Sequence, residues 1–180
     1  MKLLLHLCCG PCAAYPMKVL HDQGIKVQGF FFNPNIHPYR EFKRRLGAVH
    51  TLAEKSGLAV ETDKEYGLTD YLRQVVFHEA ERCRICYRMR LAATARRARE
   101  AGVDGFTTTL LYSRHQKHEL IRSVGEELAR EHDIPFYYHD FRKGWQEGID
   151  MAIAMDLYRQ PYCGCIYSEQ ERYDKKFRHR

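Results

Sequence analysis

All seven cysteines of the chain fall into three short groups: Cys8-Cys9-Gly10-Pro11-Cys12, Cys83-Arg84-Ile85-Cys86 and Cys163-Gly164-Cys165. Thiols grouped in this way hold a metal or exchange electrons more often than they fill a core. A CxxC pair serves zinc, thioredoxin-like and iron–sulfur sites alike. A zinc site of four cysteines leaves three thiols unexplained, and a 4Fe–4S cluster also takes four thiolates, so arithmetic does not separate the two. Cys163-Gly164-Cys165 has its own logic. In an extended segment a two-residue step points both sulfurs to one face. The glycine lets the backbone close a strained disulfide, which is easily reduced and carries two electrons. The alternative is a second metal there, with Asp140 or His139 as a further ligand. The spacing thus predicts three distant segments folding together into one metal and redox site.

Other residues could add to that site. His6, His37, His115, His118 and His139 could be ligands or proton donors, although a lone histidine is more often a surface or packing residue. The polar run from Tyr112 to Glu119 could hold a substrate or cap a helix, and Asp140-Phe141-Arg142-Lys143 could bind a nucleotide or form a surface turn. Phosphate-loop and GxGxxG patterns are both absent, so neither a Walker-type ATPase nor a standard dinucleotide enzyme is supported. The net charge is +6. Its clustering says more than its size: Lys43-Arg44-Arg45, Arg96-Arg97 with Arg99, and Lys175-Lys176-Phe177-Arg178-His179-Arg180 suit a polyanion, while a solvated helix face is the plainer reading of each.

The elements that must position these groups follow from periodicity. Strands are expected at Lys2–Leu7, Lys26–Phe32, Leu58–Glu61, Gly105–Leu111 and Ile134–Tyr138. Helices are expected at Ala13–Gln23, Tyr39–Lys55, Thr69–Val76, Arg84–Arg99 and Gln116–His132, with another from Trp145 ending near Asp156. Cys83 and Cys86 open one of them, three residues apart on one side of its first turn, where the helix dipole with Arg82, Arg84 and Arg88 favours thiolates. Alternation of this kind gives the α/β class: a parallel sheet of about five strands with helices on both faces and a helical insertion carrying the CxxC. Such sheets bind ligands at the carboxyl ends of their strands, where Cys8-Cys9, Asn33-Pro34, Thr108-Thr109 and His139-Asp140 fall.

At 180 residues, residues 1–180 are expected to form a single domain with ample chain for a core. A hydrophobic fraction of 44% with 29% charged residues is ordinary for a globular protein. Three leucines after Lys2 are too few for a signal peptide, and no run approaches transmembrane length. The expectation is a cytoplasmic protein with no membrane partner, in a compartment where an odd number of cysteines favours metal ligation over a disulfide framework.

With Phe106-Thr107-Thr108-Thr109-Leu110-Leu111, Asp140-Phe141-Arg142-Lys143 and Tyr158-Arg159-Gln160-Pro161-Tyr162-Cys163-Gly164-Cys165, the cysteine motifs stand in the order of one family. The chain resembles, over nearly its whole length, the cobalamin-independent epoxyqueuosine reductases. The resemblance implies an adenine-nucleotide α-hydrolase-like, PP-loop-type sheet. It also implies reduction of the epoxide of epoxyqueuosine to queuosine, the last step of a tRNA wobble-base modification. A 4Fe–4S cluster is implied as cofactor, with an additional mononuclear iron or a redox-active thiol pair. Carried over, Cys8, Cys9, Cys83 and Cys86 hold the cluster, and Cys163 with Cys165 is the redox pair. Cys12 replaces one ligand or binds the extra metal. An acid, Asp140, His139 or Tyr162, protonates the leaving oxygen. The partners implied are a tRNA anticodon stem-loop and an external electron donor. Two other readings remain: an iron–sulfur tRNA sulfur-transferase, which would need ATP, and a zinc-stabilised nucleic-acid-binding module.

Overall fold

The run Leu3-Leu4-Leu5 is apolar without alternation, which suits a strand buried on both faces. In the computed structural model, which describes residues 1–177, it forms the centre of a parallel sheet. Strand β1 (Lys2–His6) lies between β2 (Lys26–Phe31) and β4 (Gly105–Thr108), and β3 (Val60–Thr62) pairs with the outer side of β2, giving the order β3-β2-β1-β4. The chain steps from β1 to β2 in one direction and returns to β4 on the other side, so the sheet's switch point lies between β1 and β4. Ligands bind such sheets there, beyond the strand ends.

Among the described residues the α-helices are α1 (Pro11–Asp22), α2 (Tyr39–Ser56), α3 (Leu68–Val75), α4 (Arg82–Glu100), α5 (His118–Glu131), α6 (Trp145–Ala154) and α7 (Ile166–Tyr173). Successive residues of β1 point to opposite faces. On one face Leu5 and Leu7 join Ala13 of α1, Phe42 and Leu46 of α2, and Ala152 of α6. On the other, α4 lies over β1 and β4 with α5 alongside, where Leu91, Ala95 and Ala98 meet Phe106, Val124 and Leu128. Gly57, in the left-handed region at φ 69°, stops α2.

Two expectations need correction, and the tail holds a helix that was not assigned. The sheet has four strands rather than five: Ile134–Tyr138 makes a single bridge, Phe136 opposite Phe106. Pro135 accepts from Phe106 N but has no N–H to give, and the partner strand stops at Thr108. Gly105–Leu111 is strand only as far as Thr108, and Thr109–Tyr112 curls into a 3₁₀ turn. The tail after Leu157 carries a helix, α7, begun by Cys165, whose sulfur accepts from Ser168 N at 3.4 Å. Of the basic tail, Arg178, His179 and Arg180 lie outside the described residues.

Candidate metal centre

The turn after β1 puts three sulfurs at the switch point. The Sγ atoms of Cys8, Cys9 and Cys12 all lie within 4.8 Å of one another, with Cys8 and Cys9 3.8 Å apart. Thr109, the first residue beyond β4, holds this turn from across the switch point: Cys8 N donates to its hydroxyl oxygen at 3.0 Å, and the hydroxyl donates to Cys8 Sγ at 3.2 Å. Gly10 must be glycine, because a Cβ there would meet the Ala48 carbonyl of α2 at 2.5 Å. Hydrogen bonds from Cys12 and Cys9 hold the Cys8 thiol well below its ordinary range. Burial pushes Cys9 up, and the bond to Cys8 pushes Cys12 up. The trio therefore concentrates one negative charge on closely set, soft donors. Metal–sulfur bonds of about 2.3 Å in tetrahedral geometry put two sulfurs roughly 3.8 Å apart, so the trio has the spacing to bind a single metal ion.

The other four thiols gather beside it. Cys86 packs with Cys165, Tyr71 and Val75. Burial pushes Cys86 up to about 12, Arg90 opposes that, and the nearby Cys163, Cys165 and Cys83 add to it. Neither Cys83 nor Cys86 joins the close group of Cys8, Cys9 and Cys12. The structure thus sets Cys8, Cys9 and Cys12 close together, with Cys86 and Cys165 packed in a separate cluster. The Cys163-Gly164-Cys165 segment is a helix entry rather than a strand: Cys165 packs with Tyr71 and Cys86, and Cys163 accepts from Gln116 Nε2 at 3.1 Å. All seven cysteines are free.

Two buried arginines set the charge between these groups; Arg45 was read in the sequence only as part of a basic cluster, and Arg90 was not singled out. Arg45 of α2, 2% exposed, donates to Cys163 O at 2.6 Å, Tyr162 O at 2.9 Å and Glu41 Oε1 at 2.7 Å. It clamps the third cysteine segment onto α2. Arg90 of α4, also 2% exposed, faces Cys86, Cys163 and Cys8, reaches Asn33 Oδ1 at 3.3 Å, and keeps Nη2 without a partner. A buried guanidinium with no carboxylate beside it requires anionic neighbours. Thiolates holding a metal centre meet that requirement, so the donor set and its surroundings fit an iron–sulfur group. The Cys83-x-x-Cys86-x-x-x-Arg90 spacing, three then four residues on one helix face, was the signal that could have found Arg90. Arg82, Arg84 and Arg88, expected to serve the thiols, instead pair with Glu171, Glu127 and Glu131, although Arg82 still feels Cys83 and Cys165.

A cleft of about 610 Å³ opens on both thiol groups, with Cys8 and Cys12 on one wall and Cys163 on another. Tyr112, His115, Trp145, Arg159, Tyr162 and Arg172 also line it. The expected acids fare differently. Asp140 is committed to Arg142, through bonds of 2.8 and 2.6 Å that hold its carboxyl down to about 2, and it does not line the cleft. His139 packs against Phe141 and is likewise absent from the lining. Tyr162 lines the cleft, its hydroxyl donating to His37 O and burial pushing it up. His6 is buried, lowered to about 3 chiefly by burial, and spans Thr108 Oγ1 at 2.9 Å and Phe32 O at 3.2 Å, a structural tie between strands. His37 is buried against Tyr66 and Tyr71, and His118 meets Ser113 O at 3.3 Å. His115 alone of the five stands in the cleft lining, edge-on to Trp145.

A family model described as "Epoxyqueuosine reductase QueH" matches residues 3–171. A curated protein of that description from Dehalococcoides mccartyi is 42% identical over 174 residues, covering 97% of this chain and 96% of the relative. Those from Streptococcus pyogenes and Thermotoga maritima are 34% and 33% identical, covering 93% and 96% of this chain and 70% and 93% of their own lengths. Among solved structures, a Methanocaldococcus jannaschii protein described as a "predicted subunit of tRNA methyltransferase" superposes with a TM-score of 0.58 at 12% identity, covering 85% of this chain and 76% of that one. That likeness is one of fold.

Proposed function

The chain belongs to the epoxyqueuosine reductase QueH family, and on that premise we propose how its cleft reduces epoxyqueuosine to queuosine in tRNA. The reaction takes two electrons and two protons, breaks both C–O bonds of the epoxide, leaves a C=C bond and releases water. The cofactor reading places an iron–sulfur cluster on Cys83, Cys86, Cys163 and Cys165, and a single metal ion on Cys8, Cys9 and Cys12. The spacing of the trio and the need of Arg90 for anionic neighbours support this division. Such a centre supplies one-electron transfer and a Lewis-acidic site for the epoxide oxygen.

The chain's own residues do the rest. Trp145, backed by the buried ring of Tyr112 at 5.2 Å between centroids, offers an aromatic face for a nucleobase. Arg159 and Arg172 line the same cleft and Arg114 lies over Trp145, so cations flank the wall where RNA phosphates would approach. Thr109 and Arg90 keep negative charge on the sulfurs. His115 is the proton donor within the cleft, since the Tyr162 hydroxyl already donates to His37 O. The electrons come from an external donor.

The single observation that carries the reading is the cleft shared by Cys8, Cys12 and Cys163. Iron and acid-labile sulfide in anaerobically purified variants test it, with epoxyqueuosine-containing tRNA as substrate. Cys86→Ser should lose sulfide and activity together. Cys12→Ser should keep sulfide, lose iron equivalent to one ion and lose activity. Full sulfide in Cys86→Ser refutes the quartet, and zinc without sulfide in the wild type favours the nucleic-acid-binding alternative.

A further inference from the structure

Gln116 sits at the mouth of the cleft, between the end of β4 and the start of α5, and its two amide atoms have different partners. Tyr87, 3% exposed on α4, donates its hydroxyl to Gln116 Oε1 at 2.7 Å and accepts from Lys117 N at 3.2 Å. With Oε1 taken, Nε2 faces the sulfur of Cys163 at 3.1 Å. The reverse orientation would aim a carbonyl oxygen at a metal-bound sulfur, which has no proton to give, so it is disfavoured. Gln160 on the opposite wall donates to Cys12 Sγ at 3.2 Å, yet its Oε1 has no partner and nothing fixes its orientation. Of the two amides that reach a thiol, Gln116 is the one built into place.

We propose that Gln116, locked by Tyr87, is a positioning residue that sets the reduction potential of the iron–sulfur centre to which Cys163 belongs. This inference rests on the cofactor reading above. An N–H donated to a ligand sulfur draws electron density from it and favours the reduced, more negative form of the centre. The bond therefore makes the centre easier for its external one-electron donor to reduce. Because Tyr87 is buried between α4 and α5, the setting is part of the fold and does not wait for the substrate.

The test is a redox titration of the anaerobically purified holoenzyme, followed by its visible and electron-paramagnetic-resonance signals. Gln116→Leu should keep wild-type iron and sulfide and titrate at a more negative potential. Tyr87→Phe, which frees the amide without touching the sulfur, should shift the potential in the same direction by less. The rate of cluster reduction by a fixed chemical reductant should fall in the same order. A Gln116→Leu protein that binds iron and titrates at the wild-type potential overturns the inference and leaves the cofactor reading standing, even if activity is lost. Wild-type protein without iron removes both.

Discussion

One arginine and one carboxylate show what single residues do around the thiols. Arg45 is spent entirely inside the protein, on Glu41 and on the carbonyls of Tyr162 and Cys163. Replacing it by Met strands the Glu41 carboxylate, 5% exposed, which Tyr158 OH alone would then contact at 2.6 Å. Breaking a buried pair from one side costs about 3–5 kcal/mol. Arg45→Met should therefore lower stability in urea by that order and shed iron, because the Cys163 segment is released. Adding Glu41→Gln should restore much of the stability and little of the iron. Asp140 makes the opposite case. Its carboxyl, held to about 2 by Arg142, is ionised throughout the working range and faces away from the cleft chemistry. Asp140→Asn should keep the shape of the kcat pH profile, and a lost basic limb would restore the residue as an acid. The cysteines were legible in the sequence as a site because all seven clustered in three groups. Which of them draw together was not, since that depends on Thr109 and Arg90, which reach them from separate elements.

At the scale of elements, the strand–helix alternation was legible because α2 and α5 keep one apolar face and Leu3-Leu4-Leu5 of β1 is apolar on both. What periodicity missed lay where short-range bonding overrides pattern. Thr108 accepts from Leu110 N at 3.1 Å and bends a β-branched run into a 3₁₀ turn. Helix α7 is short and has no buried residue, so only the Cys165-x-x-Ser168 cap announced it. The loop from β2 to α2 carries a buried histidine whose burial the sequence did not signal. His37 there is 2% exposed, with neither ring nitrogen bonded, and burial lowers it to about 4. Below the ordinary value of 6.5 the unfolded chain takes a proton that the folded loop refuses. The stability His37 contributes is thus complete above pH 6.5 and is lost as pH falls toward 4. The loss should reach about 1–2 kcal/mol by pH 5. Urea denaturation from pH 7 to pH 5 should show a gentler decline for His37→Phe than for wild type, since the ring between Tyr66 and Tyr71 is kept and the proton site removed. Parallel declines would assign the acid sensitivity to other groups.

For the whole molecule, the question is where its excess positive charge is available to a polyanion. The net +6 looked as though it resided in the basic clusters of α2 and α4. Folding spends much of that charge on the protein itself. Arg45 is buried, Arg97 pairs with Glu61 and Glu100, and Arg99 pairs with Asp133. The arginines at the cleft are scattered in sequence: Arg159 and Arg172 line it and Arg114 lies over Trp145, brought together because α6, α7 and the turn after β4 meet there. Each phosphate contact releases counterions, so its loss weakens binding and flattens the dependence on salt. Replacing Arg159 and Arg172 together by Gln should reduce tRNA affinity about tenfold or more near 0.15 M salt and lower the slope of log K against log salt by about one to two. Arg97→Gln with Arg99→Gln removes the same charge from the far end of α4, where guanidinium and carboxylate already neutralise one another, and should change affinity less than about twofold. Fluorescence-anisotropy titrations of both pairs across a salt series separate the two surfaces. If the α4 pair carries the salt dependence instead, the RNA lies across the helices and the cleft takes in only the flipped base.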